Sequence, residues 1–128
     1  RINVEPILRG NRIIFVTLTP LTDPCSSGGS SWIMEVSSDS GSRLKESPFD
    51  VNGDGIIDDL DIVSFGGDDS FVSGVRSKEG ILSSPGILNT GSDNKELKLF
   101  NGSTNNMETI TESVNESQRD RQSWRQLR

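Results

Sequence analysis

Asn11-Arg12-Ile13-Ile14-Phe15-Val16-Thr17-Leu18-Thr19-Pro20 carries the signal that decides the fold. The run 13–19 is β-branched and aromatic, and Pro20 stops it before it reaches helical length. It reads as a strand, apolar on both sides at its start and alternating after Val16. A turn-rich loop, 20–30, separates it from Ser31-Trp32-Ile33-Met34-Glu35-Val36, a second strand. Ser38-Asp39-Ser40-Gly41 is a turn signal, and Arg43-Leu44-Lys45 begins a third strand. No helical period occurs through residue 48, whereas residues 1–10 read as irregular. Two strands turning toward a third make an antiparallel meander, so the expected class is all-β.

Further along, Lys95-Glu96-Leu97-Lys98-Leu99-Phe100 alternates as a strand, and Met107-Glu108-Thr109-Ile110-Thr111 answers it as a partner. Asn101-Gly102 is the strongest turn dipeptide between them. Residues 66–90 are rich in Gly, Ser and Asp and read as loop plus one short strand. The segment 112–121 is polar enough to be exposed or disordered. The ending Gln122-Ser123-Trp124-Arg125-Gln126-Leu127-Arg128 suits either a helical turn or a last strand. Its arginines read as a solvated basic face balancing the acidic middle of the chain.

Composition narrows the function. The chain has 128 residues, the size of one ordinary domain, but only 30% are hydrophobic and Tyr is absent. With thirteen glycines as well, it would struggle to build a large core alone. It therefore reads as a piece of a larger domain, an expectation strengthened by the start at Arg1 without Met or signal peptide. A net charge of −6 argues against nucleic-acid binding, which needs clustered Lys and Arg. No apolar run approaches the roughly 18 residues of a transmembrane helix. Without His and with one Cys, neither a zinc site nor a Ser/His or Cys/His pair can be assembled within the chain. No spacing points to other catalysis, so the chain is not expected to be an enzyme. Cys25 lies in a loop-like setting that favours a disulfide to sequence outside this chain over a buried free thiol. Asn101-Gly102-Ser103 and Asn115-Glu116-Ser117 fit the glycosylation acceptor pattern. Trp32 and Trp124 read as core or packing residues rather than sugar-stacking platforms.

The chemistry concentrates in Asp50-Val51-Asn52-Gly53-Asp54-Gly55-Ile56-Ile57-Asp58-Asp59-Leu60-Asp61. Taken as a twelve-residue calcium loop, 50–61, it puts side-chain oxygens at positions 1, 3, 5, 9 and 12, glycine at 6 and a backbone carbonyl at 7. Asp50, Asn52 and Asp54 supply side-chain oxygens, Ile56 its carbonyl, and Asp58 a direct or water-mediated contact. Asp61 closes the site. Carboxylates this close repel one another by kcal/mol unless a cation sits among them, and a hard cation with six to eight oxygen ligands is Ca2+. Ile57, at position 8, should point inward. Pro48 makes an incoming helix unfavourable, so the loop is EF-hand-like rather than a full EF-hand. Asp59-Leu60-Asp61-Ile62-Val63-Ser64-Phe65 is expected to form one or two helical turns ended by Gly66-Gly67. A lone loop of this kind suits the extracellular range, roughly 10⁻⁴–10⁻³ M, and a structural role.

Several stretches together resemble the C-terminal end of the PilC/PilY proteins, the tip-associated adhesins and assembly factors of bacterial type IV pili. They are 11–18 followed by Asp23-Pro24-Cys25, Gly28-Gly29-Ser30-Ser31-Trp32-Ile33-Met34-Glu35, the aspartate-rich loop, Gly74-Val75-Arg76 and Ser123-Trp124-Arg125-Gln126-Leu127. The resemblance spans most of the chain. It implies that residues 1–128 are the C-terminal part of a modified β-propeller, its closing blade or blades, an antiparallel meander with an inserted calcium loop. It also implies a calcium-binding, surface-exposed pilus adhesin or assembly factor at the pilus tip, outer membrane-associated or secreted. Its partners would be minor pilin components or a host surface receptor, together with the rest of its own propeller. Trp32-Ile33-Met34-Glu35-Val36 followed by Asp39-Ser40-Gly41 also resembles a quinoprotein-type blade. The loop alone is similar to one dockerin repeat, which makes a protein-docking module of a secreted multidomain protein the alternative. A fragment of a calcium-dependent propeller enzyme is the third reading. It requires catalytic residues that the sequence does not display.

Overall fold

The computed structural model describes residues 1–23, 25, 28–91 and 95–114. Nine strands occur among them: β1 (Ile7–Arg9), β2 (Arg12–Pro20), β3 (Gly29–Ser37), β4 (Ile62–Phe65), β5 (Asp68–Phe71), β6 (Gly74–Arg76), β7 (Gly86–Asn89), β8 (Lys95–Asn101) and β9 (Met107–Ser113). Every pairing is antiparallel. One sheet has the order β1-β2-β3-β6, a second β7-β8-β9, and β4-β5 form a hairpin of their own. The protein is all-β. Among the described residues the sheets are open, and no closed barrel or ring of blades is formed. A four-stranded and a three-stranded sheet are too few to close.

The two main strands lie where the β-branched runs place them, with Phe15 opposite Met34 and Val16 opposite Ile33. Three expectations fail. No strand forms at Arg43-Leu44-Lys45, and β6 takes the place beside β3 after a long excursion. The first residues are not irregular: β1 pairs with β2 through the two-residue link Gly10-Asn11, and Ile2 bridges to Thr17. The stretch 66–90 holds all of β5, β6 and β7, not a single strand.

The segment after the aspartate-rich loop is a strand rather than helical turns. Ile62 pairs with Phe71 and Phe65 with Asp68. Gly66 and Gly67, at φ 65° and 94°, form the two-residue turn whose twist matches a hairpin. They begin a return strand instead of ending a helix. Gly67→Ala would place a Cβ in this left-handed region and weaken the hairpin by about 1 kcal/mol. The expected readout is faster amide hydrogen exchange across β4 and β5, with exchange in β2 and β3 unchanged.

The β8–β9 hairpin forms as the sequence implies, but its link is 102–106, with Asn105 rather than Gly102 in the left-handed region. The polar segment 112–121 is not exposed from its start. Glu112 and Ser113 end β9, and Glu112 is fully buried. Residues 115–121 and the terminal Ser-Trp-Arg stretch lie outside the described residues.

The β1-β2-β3-β6 and β7-β8-β9 sheets face each other across a layer with two unlike halves. Val16, Ile33, Phe49, Leu82 and Phe100 form the apolar half, with Val4, Val72, Val75 and Ile110 packed against it. The other half is ionic. In β8 the residues turned inward are Glu96, Lys98 and Phe100, while Leu97 and Leu99 are half-buried on the opposite face. Lys98 meets Glu35 at 3.5 Å and Glu96 at 3.4 Å, and pairs most closely with Glu112. Arg12 pairs with Glu35 at 3.1 Å and donates to the Ser113 carbonyl, and Arg9 pairs with Glu96 at 2.7 Å. Three cations thus balance three carboxylates between the sheets. Burial pushes the Lys98 ammonium below its ordinary value, against the pull of Glu35 and Glu96.

Trp32 is not a core residue. It lies on the outer face of β3 between Thr17 and Arg76 and is 42% exposed. Leu8 on that same face and Leu88 on the outer face of β7 are also exposed. Both sheets therefore carry apolar residues on the faces turned away from the shared layer.

Candidate functional site

The aspartate-rich loop sits in the excursion between β3 and β6. Its entrance is tied to the edge of β9: Phe49 bridges to Glu112, Ser113 N–H donates to the Pro48 carbonyl at 3.2 Å, and Ser47 Oγ donates to the Phe49 carbonyl at 2.8 Å. Phe49 is a core residue, so the loop starts from a fixed point.

From there the chain folds back on its own carboxylates. Asp50 accepts from the N–H groups of Gly53 at 2.7 Å and Gly55 at 2.9 Å, one on each carboxylate oxygen. Gly55, at φ 83°, makes the sharp bend that position 6 requires. Asn52 Oδ1 accepts from Asp54 N–H at 2.9 Å, Asp54 Oδ1 from Ile56 N–H at 2.8 Å, and Asp58 Oδ1 from Leu60 N–H at 2.8 Å. Asn52 Nδ2 also donates to Asp54 Oδ2 at 3.2 Å.

Asp61 closes the loop. Its side chain is fully buried, with Oδ1 accepting from Val51 N–H at 2.7 Å and Asn52 N–H at 3.2 Å. Oδ2 accepts from Asp58 N–H at 2.9 Å. The first and last positions of the twelve are thereby held together through one carboxylate. Ile57 is half-buried beside Glu46, Ser47 and Ser113, at the wall of an open cleft, so it leans inward without entering the core. The Ile56 side chain is exposed.

The expected ligands are brought into one loop, but not as a carboxylate cage. Among the described residues no group of three His, Cys, Asp or Glu side chains stands ready to hold a metal ion. The physical reason is visible in the bonds above: the carboxylates are turned to backbone N–H groups. The donor set still suits a hard cation. An ionised carboxylate offers about four acceptor positions, and Asp50 and Asp61 use two and three of them. Seven aspartates and no Lys or Arg occur in 50–71. The cation that reaches the loop is Lys95, at the start of β8, whose Nζ donates to the Gly55 carbonyl at 2.6 Å. Forty residues separate the two, and nothing in the local sequence signals that contact.

Cys25 is exposed, which removes the buried-thiol reading. No helix among the described residues is long and apolar enough to cross a membrane. Compared with protein-family models, with curated proteins and with solved structures, the chain matches none.

Proposed function

We propose that this chain is the calcium-binding C-terminal part of a surface-exposed type IV pilus-associated adhesin or assembly factor. The observation that carries the metal reading is the loop 50–61. It combines oxygen-bearing residues at calcium spacing with a turn that Asp50 and Asp61 already organise through five N–H bonds. Asp50, Asn52, Asp54 and Asp58 would hold the ion through side-chain oxygens, Ile56 through its carbonyl, and Asp61 at position 12. A bound calcium ion supplies the positive charge that relieves repulsion among the aspartates. The residues then act as a staple: with Phe49 in the core and Asp61 buried, tightening the loop fixes the long excursion against β9. The role is binding, not catalysis.

The fold supports placing the chain in a modified β-propeller as its closing part. A four-stranded antiparallel meander, interrupted once, stacks face to face on a second antiparallel sheet, and both outer faces carry apolar residues. Propeller blades are four-stranded sheets packed in that manner, and apolar outer faces suit sheets from the interior of a stack. On this reading the rest of the propeller covers them, the molecule sits at the cell surface or pilus tip, and its partners are minor pilins or a host receptor. A dockerin-like docking module is less well supported, because the segment leaving the loop is the strand β4 where a dockerin repeat has a helix.

Titration calorimetry tests the metal reading. Calcium at millimolar concentration is expected to release heat and raise the melting temperature, and Asp50→Ala and Asp54→Ala to abolish both. No heat and no melting shift in the parent chain would overturn it.

A further inference from the structure

The β4–β5 hairpin is an incomplete sheet. Among the described residues its strands pair only with each other, leaving both edges open. Its root is held: Ile62 and Phe71 are half-buried, and Arg43 donates to Ser70 Oγ. Arg43 thereby reaches the side that Ser70 shares with Val63; nearer the turn that side is uncovered. Val63 and Phe65 project on the same side, with Ser70 and Asp68 opposite them, and Phe65 is 88% exposed. A two-stranded hairpin with an apolar face is marginal in water and gains most from a third strand. An open edge is the place where an extended peptide adds one.

Charge says which peptide. The hairpin 62–71 holds two aspartates, Asp68 and Asp69, and no Lys or Arg. Asp68 stands directly across from Phe65, and Asp69 across from Ser64 on the other face. A strand added here meets carboxylates on both faces and an aromatic ring on one.

We propose that the β4–β5 hairpin is a docking edge for an extended segment of another protein in which basic and apolar residues alternate. Main-chain hydrogen bonds add the segment to the hairpin, its apolar side chains cover Val63 and Phe65, and its Lys or Arg side chains, on the opposite face, answer Asp69. The proposal does not depend on the metal reading, because Phe65, Asp68 and Asp69 lie outside the loop 50–61.

The test uses the chain with a synthetic eight-residue peptide of alternating Lys and Val, a Glu/Val peptide of the same pattern, and a block peptide of four Lys followed by four Val. The Lys/Val peptide is expected to bind saturably, to shift the amide resonances of β4 and β5, and to weaken as salt rises. Phe65→Ser and Asp69→Asn are each expected to weaken it by at least about fivefold. Phe65 is exposed, so its replacement leaves the body folded, which unchanged β2–β3 resonances would verify. Equal binding of the Glu/Val or block peptide, resonance shifts confined to the loop 50–61 or to the outer sheet faces, or undiminished binding by both variants would each overturn the proposal.

Discussion

Replacing Lys98 by methionine is expected to destabilise the fold by about 3–5 kcal/mol, because it breaks a buried ion cluster by removing one partner. Lys98 is fully buried between the two sheets, against Glu35 and Glu96 at 3.5 and 3.4 Å and closer still to Glu112. Without it three carboxylates share two arginines. Arg12 is already committed to Glu35 and the Ser113 carbonyl, and Arg9 to Glu96. Glu112 is then left charged and unpartnered, and its Oε1 already lacks a hydrogen bond. The double change Lys98→Met/Glu112→Met keeps both arginine pairs and puts apolar volume at the centre. It should recover most of the loss, since a buried ion pair exchanged for packed apolar groups is often neutral or better. Urea denaturation of the single and double variants measures the coupling. If the single change costs less than about 1 kcal/mol, the ionic layer is not buried as described.

The same lysine sets a pH slope. In the unfolded chain Lys98 keeps its proton up to its ordinary 10.5, while in the folded chain burial lets it go at lower pH. Between the two values the unfolded state binds more protons, so Lys98 adds stability as pH rises through that window. The slope should be missing in Lys98→Met.

How much of this was legible follows from where the charges fall. The strands β2, β3, β8 and β9 announce themselves through β-branched runs and alternation, and their pairing follows from the turn signals. What alternation alone does not decide is which face of β8 turns inward. Leu97 and Leu99 make one apolar face and Phe100 caps the other, and a shift of one residue exchanges them. The charges on the partner sheet offered a clue: Arg12 shares parity with Ile14 and Val16, and Glu35 with Ile33. Buried charges in one sheet require opposite charges in the sheet that faces it: Lys98 answers Glu35, and Glu96 answers Arg9. The hairpin β4–β5 was hidden for another reason. Gly-Gly ends a helix or turns a hairpin equally well, and acidic residues ahead of it suit a helix start as readily as a loop. Only the pairing of 62–65 with 68–71 separates the two. In the aspartate-rich loop, spacing identified the residues that converge, but not that their oxygens would be turned to backbone N–H groups.

That last point separates two roles for the loop's aspartates. Asp61→Ala is expected to cost about 2–4 kcal/mol, because it removes the acceptor of three N–H groups at a buried position, and unsatisfied buried donors are expensive. Val51, Asn52 and Asp58 would lose their shared partner, and with it the closure that holds the excursion against β9. Asp54→Ala should cost well under about 1 kcal/mol, since Asp54 is exposed and accepts from Ile56 N–H in a turn that water can serve. On the calcium reading both variants lose the ion. Stability without calcium and the calcium-induced rise in melting temperature therefore part company: Asp61→Ala lowers the first and abolishes the second, whereas Asp54→Ala abolishes the second alone. Asp61→Asn refines the contrast, because the amide keeps one acceptor oxygen of matching shape but lacks the charge. It should retain part of the calcium-free stability and none of the calcium response. Were Asp54→Ala to respond to calcium like the parent chain while Asp61→Ala merely unfolds, the loop would be a hydrogen-bonded turn whose aspartates serve the backbone and no ion.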